Sequence, residues 1–204
     1  MTEWYKTAKE NEEAEIITPA EFKKMEEWFN KRTKKHISLV EKYCKKINDF
    51  DEDRFGEIME IVKTHDQSKF EEPEYTPYIY ITWKYKCEAD GKDFEIPEDM
   101  LDKTIEATEH HISDPRNKHH PEAHNKKKTG LINKNDRDAK PEEMVDGTKM
   151  KNINIVEMVA DWCAVSSERG SNPKDWADSN VNIRWKFNDD QKDLIYEIID
   201  AIWE

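Results

Sequence analysis

The histidines of this sequence are concentrated in a way that points to metal chemistry. Five of the seven lie in one segment, residues 110–124, which reads HHISDPRNKHHPEAH, and the other two are His36 and His65. Asp66 directly follows His65. Imidazole is the commonest metal ligand in proteins, and carboxylates join it when the metal is a harder ion such as iron, manganese or zinc. The sequence therefore predicts a set of helices that hold a metal.

The first long helix predicted from the sequence carries His36. Residues 18–21, TPAE, form a capping box with proline at the first helical position, and apolar residues recur at helical spacing as far as residue 47. His36 lies seven residues after Phe29 and four before Val40, which places it on or beside the buried face. A lone histidine there is more commonly a core residue than a ligand, so its assignment depends on its partners.

A second helix is predicted over residues 53–64, and it delivers His65 and Asp66 at its C-terminal end. Lys69 follows Asp66 by three residues, so an imidazole, a carboxylate and an ammonium group lie within two helical turns. A His-Asp pair by itself often arises by chance. Its place at the end of an apolar helix, with a lysine close behind, makes it a candidate site.

A further helix is predicted to begin near Pro97 and to carry a pair of histidines. Its predicted inner stripe consists of Leu101, Ile105, Thr108 and Ile112, at spacings of four, three and four residues. His111 flanks that stripe and His110 points to the opposite side, so His111 is the better ligand candidate. His119 and His120 open another short segment, and the sequence does not choose between them as ligands.

Asp161 lies in a helix predicted over residues 152–167, whose many apolar residues indicate that nearly all of it is buried. A carboxylate in such surroundings is costly without a partner. A metal held together with the upstream histidines would be one such partner. An N–H group or an arginine, for example Arg169 or Arg184, is the alternative.

The remaining elements complete an all-α prediction. Residues 73–87 have strand propensity, but a lone strand among helices would have no partner, so a helix is predicted there. Gly170 is predicted to end the helix that contains Asp161, and Asn188 to cap a last amphipathic helix.

The length of 204 residues fits one domain. Residues 1–15 are polar and are predicted to be a flexible N-terminal arm. Residues 16–204 are predicted to be a single helical domain, with a long polar loop at about residues 125–150. The oligomeric state is left open.

The net charge of −13 argues against a protein that binds duplex DNA or an anionic membrane, because phosphate neutralisation needs clustered lysine and arginine. The N-terminal residues contain no apolar run, so neither a signal peptide nor a membrane anchor is predicted. Three cysteines without paired spacing indicate reduced, buried thiols. We therefore expect a cytoplasmic protein.

In chain order the candidate ligands are His36, then His65 and Asp66, then His111, then His119 or His120, then Asp161. This order, H, HD, H, H, D, resembles that of the HD-domain superfamily, the all-helical metal-dependent phosphohydrolases. More narrowly, the segments HDQSKF, HHPE and EMVADW are similar to a family of uncharacterised phage and bacterial proteins related to that superfamily. The resemblance implies an HD-domain-like helical bundle around a metal site.

The resemblance also implies a role for each candidate. One divalent ion would be bound by His36, His65, Asp66 and Asp161, and a second by Asp66 as a bridge with His111 and one of His119 and His120. Lys69 falls where related HDxxK sequences place a phosphate-contacting lysine, so Asp66 and Lys69 are the predicted catalytic residues. The identity of the metal stays open among manganese, iron, magnesium, zinc and nickel. The short gap from His111 to His119 and the absence of a GYP segment set this chain apart from binuclear phosphodiesterases, so one ion or two remain possible.

Three functions are compatible with this set of residues. The leading prediction is a metal-dependent phosphohydrolase that uses a metal-activated water on a nucleotide or another small phosphate ester. Lys69 and the lysine run that includes Lys126 and Lys127 would attract the anionic substrate. A di-iron oxygenase is the alternative, because oxygenases of the same superfamily use the same ligand order. A non-catalytic, metal-stabilised binding protein ranks third, since closed structural zinc sites mostly use thiolates.

Overall fold

The fold is built along one long helix, α1 (Pro19–Phe50). The computed structural model of the chain describes residues 17–125 and 143–203. The predicted capping box is confirmed: the Glu21 N–H donates to the Thr18 hydroxyl over 3.3 Å, and the Glu21 carboxylate accepts from the Thr18 N–H over 2.9 Å. The buried face of α1 includes His36, as the helical spacing predicts.

The chain is all-α, as predicted. In the described residues, the helices after α1 are α2 (Glu52–Phe55), α3 (Ile58–Ile61), α4 (Tyr75–Ala89), α5 (Glu98–Ser113), α6 (Asn152–Arg169), α7 (Pro173–Asn180) and α8 (Asp189–Ile202). Short 3-10 helices span Val62–Thr64, Gln67–Phe70 and Pro121–His124. Two short strands, β1 (Val145–Asp146) and β2 (Trp185–Lys186), pair in parallel.

Buried apolar side chains form two clusters within the described residues. The larger cluster joins the C-terminal half of α1 to α6 and α8, and each of these three helices packs against the other two. The smaller cluster joins the N-terminal half of α1 to α4 and α5. Phe29 belongs to the smaller cluster and Val40 to the larger, so His36 lies where the two clusters meet.

Several predicted features of the helices are confirmed. Residues 73–87 lie largely in α4, which is helical despite its strand propensity. Gly170 ends α6 with φ of 66°, a left-handed conformation that suits glycine, and Asn188 caps α8 with its own capping box. The three cysteines, Cys44, Cys87 and Cys163, are buried and form no disulfide.

The prediction of one helix over residues 53–64 is wrong in detail. The segment divides into α2, α3 and the 3-10 helix Val62–Thr64. Gly56 lies at the division, and a Cβ there would stand 2.9 Å from the Glu52 carbonyl oxygen. His65 therefore follows a 3-10 turn rather than a continuous α-helix.

The predicted inner stripe of α5 is only partly confirmed. The error lies at Leu101, which is 46% exposed, whereas Thr108 is buried as predicted and Ile105 and Ile112 are partly buried. The buried residues of α5 are Met100, Thr104, Ala107, Thr108 and His111. The Thr104 and Thr108 hydroxyls donate to carbonyl oxygens within the helix, at 2.7 and 2.8 Å, which satisfies them without water. His111 lies on the same buried face as these threonines.

The predicted arm at residues 1–15 lies outside the described residues, as do residues 126–142 of the predicted long loop. The described end of that loop is not wholly exposed, because Val145 is buried and forms β1 with Asp146. None of the helices in the described part of the chain is both long and apolar enough to span a membrane.

Candidate metal centre

The predicted ligands come from five separate parts of the chain and meet inside the molecule. α1 carries His36, the turn after the 3-10 helix Val62–Thr64 carries His65 and Asp66, and α5 carries His111. The segment before the 3-10 helix Pro121–His124 carries His119 and His120, and α6 carries Asp161. The buried members are His36, His65, Asp66, His111 and His119, whereas His120 and Asp161 are partly buried.

The backbone at Asp66 explains how two adjacent residues can serve one site. In an α-helix, neighbouring side chains diverge by about 100°. Asp66 instead has φ of 57°, in the left-handed region, and His65 has an extended ψ of 126°. Aspartate tolerates the left-handed conformation better than most residues, because its short polar side chain bonds locally. The turn therefore brings both side chains into the same group of potential ligands.

The first such group contains His36, His65 and Asp66, whose ligand atoms lie within 4.8 Å of one another. His36 Nε2 lies 3.0 Å from Asp161 Oδ1 and 3.7 Å from Asp66 Oδ2. These are the four residues that the sequence predicts as ligands of the first ion. The arginine alternative for Asp161 has no support here, because the hydrogen-bonded partner of its carboxylate is His36.

The second group contains His111, His119 and His120, again within 4.8 Å of one another. His111 Nε2 lies 3.2 Å from Asp66 Oδ1. The two carboxylate oxygens of Asp66 therefore face different groups, with Oδ2 toward His36 and Oδ1 toward His111. This is the arrangement that a bridging carboxylate needs.

Two buried glutamates and one partly buried glutamate hold the outer nitrogens of three of these imidazoles. Nδ1 of His36 lies 3.2 Å from Glu168, Nδ1 of His65 lies 3.1 Å from Glu157, and Nδ1 of His111 lies 2.8 Å from Glu74. Metal-binding histidines almost always donate their second ring N–H to such an acceptor, which fixes the ring and raises its basicity. A carboxylate on one nitrogen leaves the other nitrogen for a metal.

Glu74 also explains the place of His110. One Glu74 oxygen lies 2.8 Å from His111 Nδ1 and the other lies 2.7 Å from His110 Nδ1. Ser68 donates to Glu74 over 2.9 Å, and the Asn117 amide lies 2.9 Å from His111 Nδ1. His110 thus contacts the partner of a ligand candidate, in keeping with the preference for His111.

The carboxylates and imidazoles shift one another's protonation. Burial alone would lower the pKa of His36, but hydrogen bonds with Asp161 and Glu168 raise it to about 9. Burial would raise the pKa of Asp161, but the His36 hydrogen bond lowers it to about 2. Burial would likewise raise the pKa of Asp66, but Lys69 and His65 hold it well below its ordinary value. A proton on His36 thus supplies positive charge where a cation would also be favoured.

Several buried atoms of the cluster lack a hydrogen bond. Such atoms indicate whether the residues fit a metal, because a bound ion would be a partner for them. Within residues 17–125 and 143–203, these atoms include His65 Nε2, His119 Nδ1, His120 Nε2 and Glu157 Oε2. A buried polar atom left without a partner costs about 1–3 kcal/mol. Burial and neighbouring imidazoles hold the pKa values of His119 and His120 well below 6.5, so both rings are neutral, the form that binds metals. The donor set fits a divalent ion.

An open cavity adjoins this cluster. It has a volume of about 410 Å³, and its lining includes His119, His120 and Asp161. Trp162, Trp176 and Trp185 form an aromatic part of the wall, and Arg169 and Arg184 also line it. A catalytic metal site must keep an open position for substrate, and this cavity gives access to the ligand candidates from outside.

The family model described as "Family of unknown function (DUF5662)" matches residues 25–201, which include every ligand candidate. The chain belongs to this family. No curated protein and no solved structure matches this chain.

Of the lysines predicted to bind substrate in this DUF5662 chain, the structure describes only Lys69. Lys69 Nζ donates to Asp66 Oδ2 over 2.6 Å and lies 5.3 Å from the centre of the Tyr78 ring. It therefore contacts the predicted bridging ligand, and its contact with a phosphate stays a prediction. Lys126 and Lys127 lie outside the described residues.

The glutamates that hold the histidines of this DUF5662 chain were not predicted from the sequence. Glu157 lies four residues before Asp161 and Glu168 lies seven residues after it, so helical spacing places all three on one face of α6. That stripe of carboxylates was visible in the sequence. Glu74 lies in a turn before α4 and had no comparable periodic signal.

Proposed function

We propose that this chain is a metal-dependent phosphohydrolase of the HD type, which acts on a nucleotide or another small phosphate ester through a metal-activated water. One observation carries the proposal. Three imidazoles have their outer nitrogens on glutamates, while the Nε2 atoms of His36 and His111 lie 3.0–3.7 Å from Asp66 or Asp161. Such a donor set beside an open cavity is typical of a catalytic metal site.

The residues divide into two proposed sets around Asp66. One ion would be held by His36, His65, Asp66 and Asp161, and a second by Asp66, His111 and one or both of His119 and His120. Divalent ions bound there would acidify a water molecule and neutralise the charge of a phosphate. The proposed task of Glu74, Glu157 and Glu168 is to keep the imidazoles oriented.

Lys69 would stabilise the phosphate. Its side chain is only 13% exposed, and its ammonium group lies 2.6 Å from Asp66 Oδ2, the proposed bridging ligand. Positive charge that is already in place where negative charge develops lowers the barrier to phosphate transfer. Arg169 and Arg184 add positive charge to the cavity wall in a chain whose net charge is −13.

Hydrolysis assays test this function. We expect metal-loaded protein to release phosphate from adenosine monophosphate or p-nitrophenyl phosphate with manganese, magnesium, iron or zinc. Asp66→Asn should lower kcat/KM by at least about 100-fold, since the loss of an outer partner alone typically costs about 10–100-fold. Asparagine tolerates the left-handed conformation at this position, so the variant removes charge without adding backbone strain.

The control is Glu71→Gln, because Glu71 is exposed and pairs with Arg116 at the surface. It should keep wild-type activity. Equal activity of Asp66→Asn and wild type, or no hydrolysis with any of these metals, would overturn the proposal. Iron-dependent oxygen consumption without phosphate release would favour the oxygenase alternative.

A further inference from the structure

The cavity beside the metal-ligand candidates has an aromatic wall that metal binding does not require. Trp162 and Trp185 stack on each other, with ring centres 5.7 Å apart and planes 19° apart. Trp176 lies against Trp185, with ring centres 6.3 Å apart and planes tilted by 59°. All three indoles line the same cavity as His119 and Asp161. The indoles and three of the potential metal ligands, His119, His120 and Asp161, therefore line one open cavity.

The wall is held in place by buried contacts. The indole N–H of Trp185 donates to Glu122 over 2.8 Å, and both residues are buried. The pairing of β1 with β2 fixes the backbone of Trp185 opposite Val145. Trp176 differs, because it is 41% exposed although it lines the cavity. Its indole is the part of the wall most accessible to a ligand.

The rest of the lining suits a molecule with both aromatic and anionic parts. Within the described residues, Arg169 forms no ion pair with a carboxylate, and it lies on the lining of the cavity. Ser166 and Ser171 add hydroxyl groups that can bond to the polar edge of a ring or to a sugar. The volume of about 410 Å³ falls within the range of about 300–1,000 Å³ that small-molecule sites occupy.

We infer that this cavity binds the base of a nucleoside monophosphate, with the ring packed on Trp176 and the phosphate directed toward Asp161, His119 and His120. The inference rests on the proposed function for the placement of the phosphate. An aromatic side chain can stack on any base, because every base has a flat π-face. A phosphate ester without a ring would lack this contact and would be a poorer substrate.

Two measurements test the inference, one of which does not depend on hydrolysis. The first compares kcat/KM for adenosine monophosphate and ribose 5-phosphate, which share the phosphate and the sugar but not the ring. We expect a preference of at least about tenfold for the nucleotide, as stacking of one base on one aromatic residue commonly provides. The second measures binding of adenosine to chelator-treated protein by calorimetry or ligand-observed NMR.

Trp176→Leu should remove both the preference for the nucleotide and the binding of adenosine, whereas Trp176→Phe should retain most of both. The matched control is Trp28→Leu, which alters a tryptophan of α1 that contacts Lys86 and does not line the cavity. This control should behave as wild type.

The outcomes separate this inference from the proposed function. Adenosine binding that Trp176→Leu abolishes, without hydrolysis of either ester, would uphold the ring site and reject the hydrolase. Hydrolysis of both esters with equal kcat/KM, unchanged in Trp176→Leu, would uphold the hydrolase and overturn the ring site. Adenosine that fails to bind, or that binds equally well to wild type and Trp176→Leu, would also overturn the ring site.

Discussion

At the scale of single residues, the centre is defined by which nitrogen of each imidazole is already engaged. Glutamates bind the Nδ1 atoms of His36, His65 and His111, and this leaves the Nε2 atoms for other partners. Nε2 of His65 has no hydrogen bond within the part of the chain that the structure describes. A core histidine kept only for packing would gain nothing from such an unsatisfied atom.

Glu74 is the outer partner whose replacement tests this idea most simply. It is fully buried and binds both His110 and His111, so Glu74→Gln keeps its size while removing the charge that orients the two rings. We expect metal affinity to fall by about 10–100-fold while the helical content is unchanged. Metal titration by calorimetry, with circular dichroism on the same samples, measures both quantities.

Glu71→Gln is the matched control for Glu74→Gln. The two residues lie in the same turn, but the Glu71 side chain is 62% exposed and pairs with Arg116. The control should bind metal as the wild type does. If Glu74→Gln also kept wild-type affinity, Glu74 would not orient a ligand.

At the scale of elements, α6 carries the stripe of carboxylates that faces α1 and the histidines. Glu157, Asp161 and Glu168 recur at spacings of four and seven residues, and each lies beside a ring nitrogen of His36 or His65. Buried charges of this kind are costly unless they are paired. The packing of α6 against α1 supplies the pairs, so helix packing and site assembly depend on each other.

The short parallel pair of β1 and β2 holds Trp185 of the aromatic wall. Replacing Gly147, directly after β1, tests how much this strand pair contributes to stability. A Cβ at Gly147 would lie 2.8 Å from Phe187 Cε1 and 3.2 Å from the Lys186 carbonyl oxygen. Gly147→Ala should therefore lower the free energy of unfolding by about 1–3 kcal/mol, measured by chemical denaturation.

The double variant Gly147→Ala, Phe187→Leu tests whether the overlap with the Phe187 ring is the cause. Removing the ring should relieve the overlap, so the double variant should lose less stability than the sum of the two single variants. A single Gly147→Ala variant as stable as the wild type would mean that Phe187 can move aside without cost.

The elements differ in how far the sequence could predict them. Capping signals and apolar periodicity correctly predicted α1, α6 and α8, because each has a strong cap or a long regular stripe. The stripe of α5 was wrong at Leu101, because the first turns of the buried face use Met100 and Thr104 instead, and the Thr104 hydroxyl is satisfied within the helix. The division at Gly56 was missed because that glycine has ordinary helical φ and ψ, and the tight approach of its backbone to the Glu52 carbonyl oxygen leaves no pattern in the sequence.

At the scale of the whole molecule, the centre lies where the two apolar clusters meet. α1 runs through both clusters, with His36 between Phe29 and Val40. The order of ligand candidates along the chain was readable from residue types, and the structure brings all of them together. The outer glutamate Glu74 and the three-tryptophan wall could not be read from the sequence, because their contacts join segments that are distant along the chain.

The central claim is that these residues bind divalent metal with Asp66 as a bridge. Elemental analysis of protein purified without chelator, beside Asp66→Asn, tests it most directly. The account predicts about two ions per wild-type chain, as a bridging carboxylate implies, and a sharp fall in the variant. Wild-type protein that contains no metal, and takes up none when supplied with manganese, iron or zinc, would contradict it.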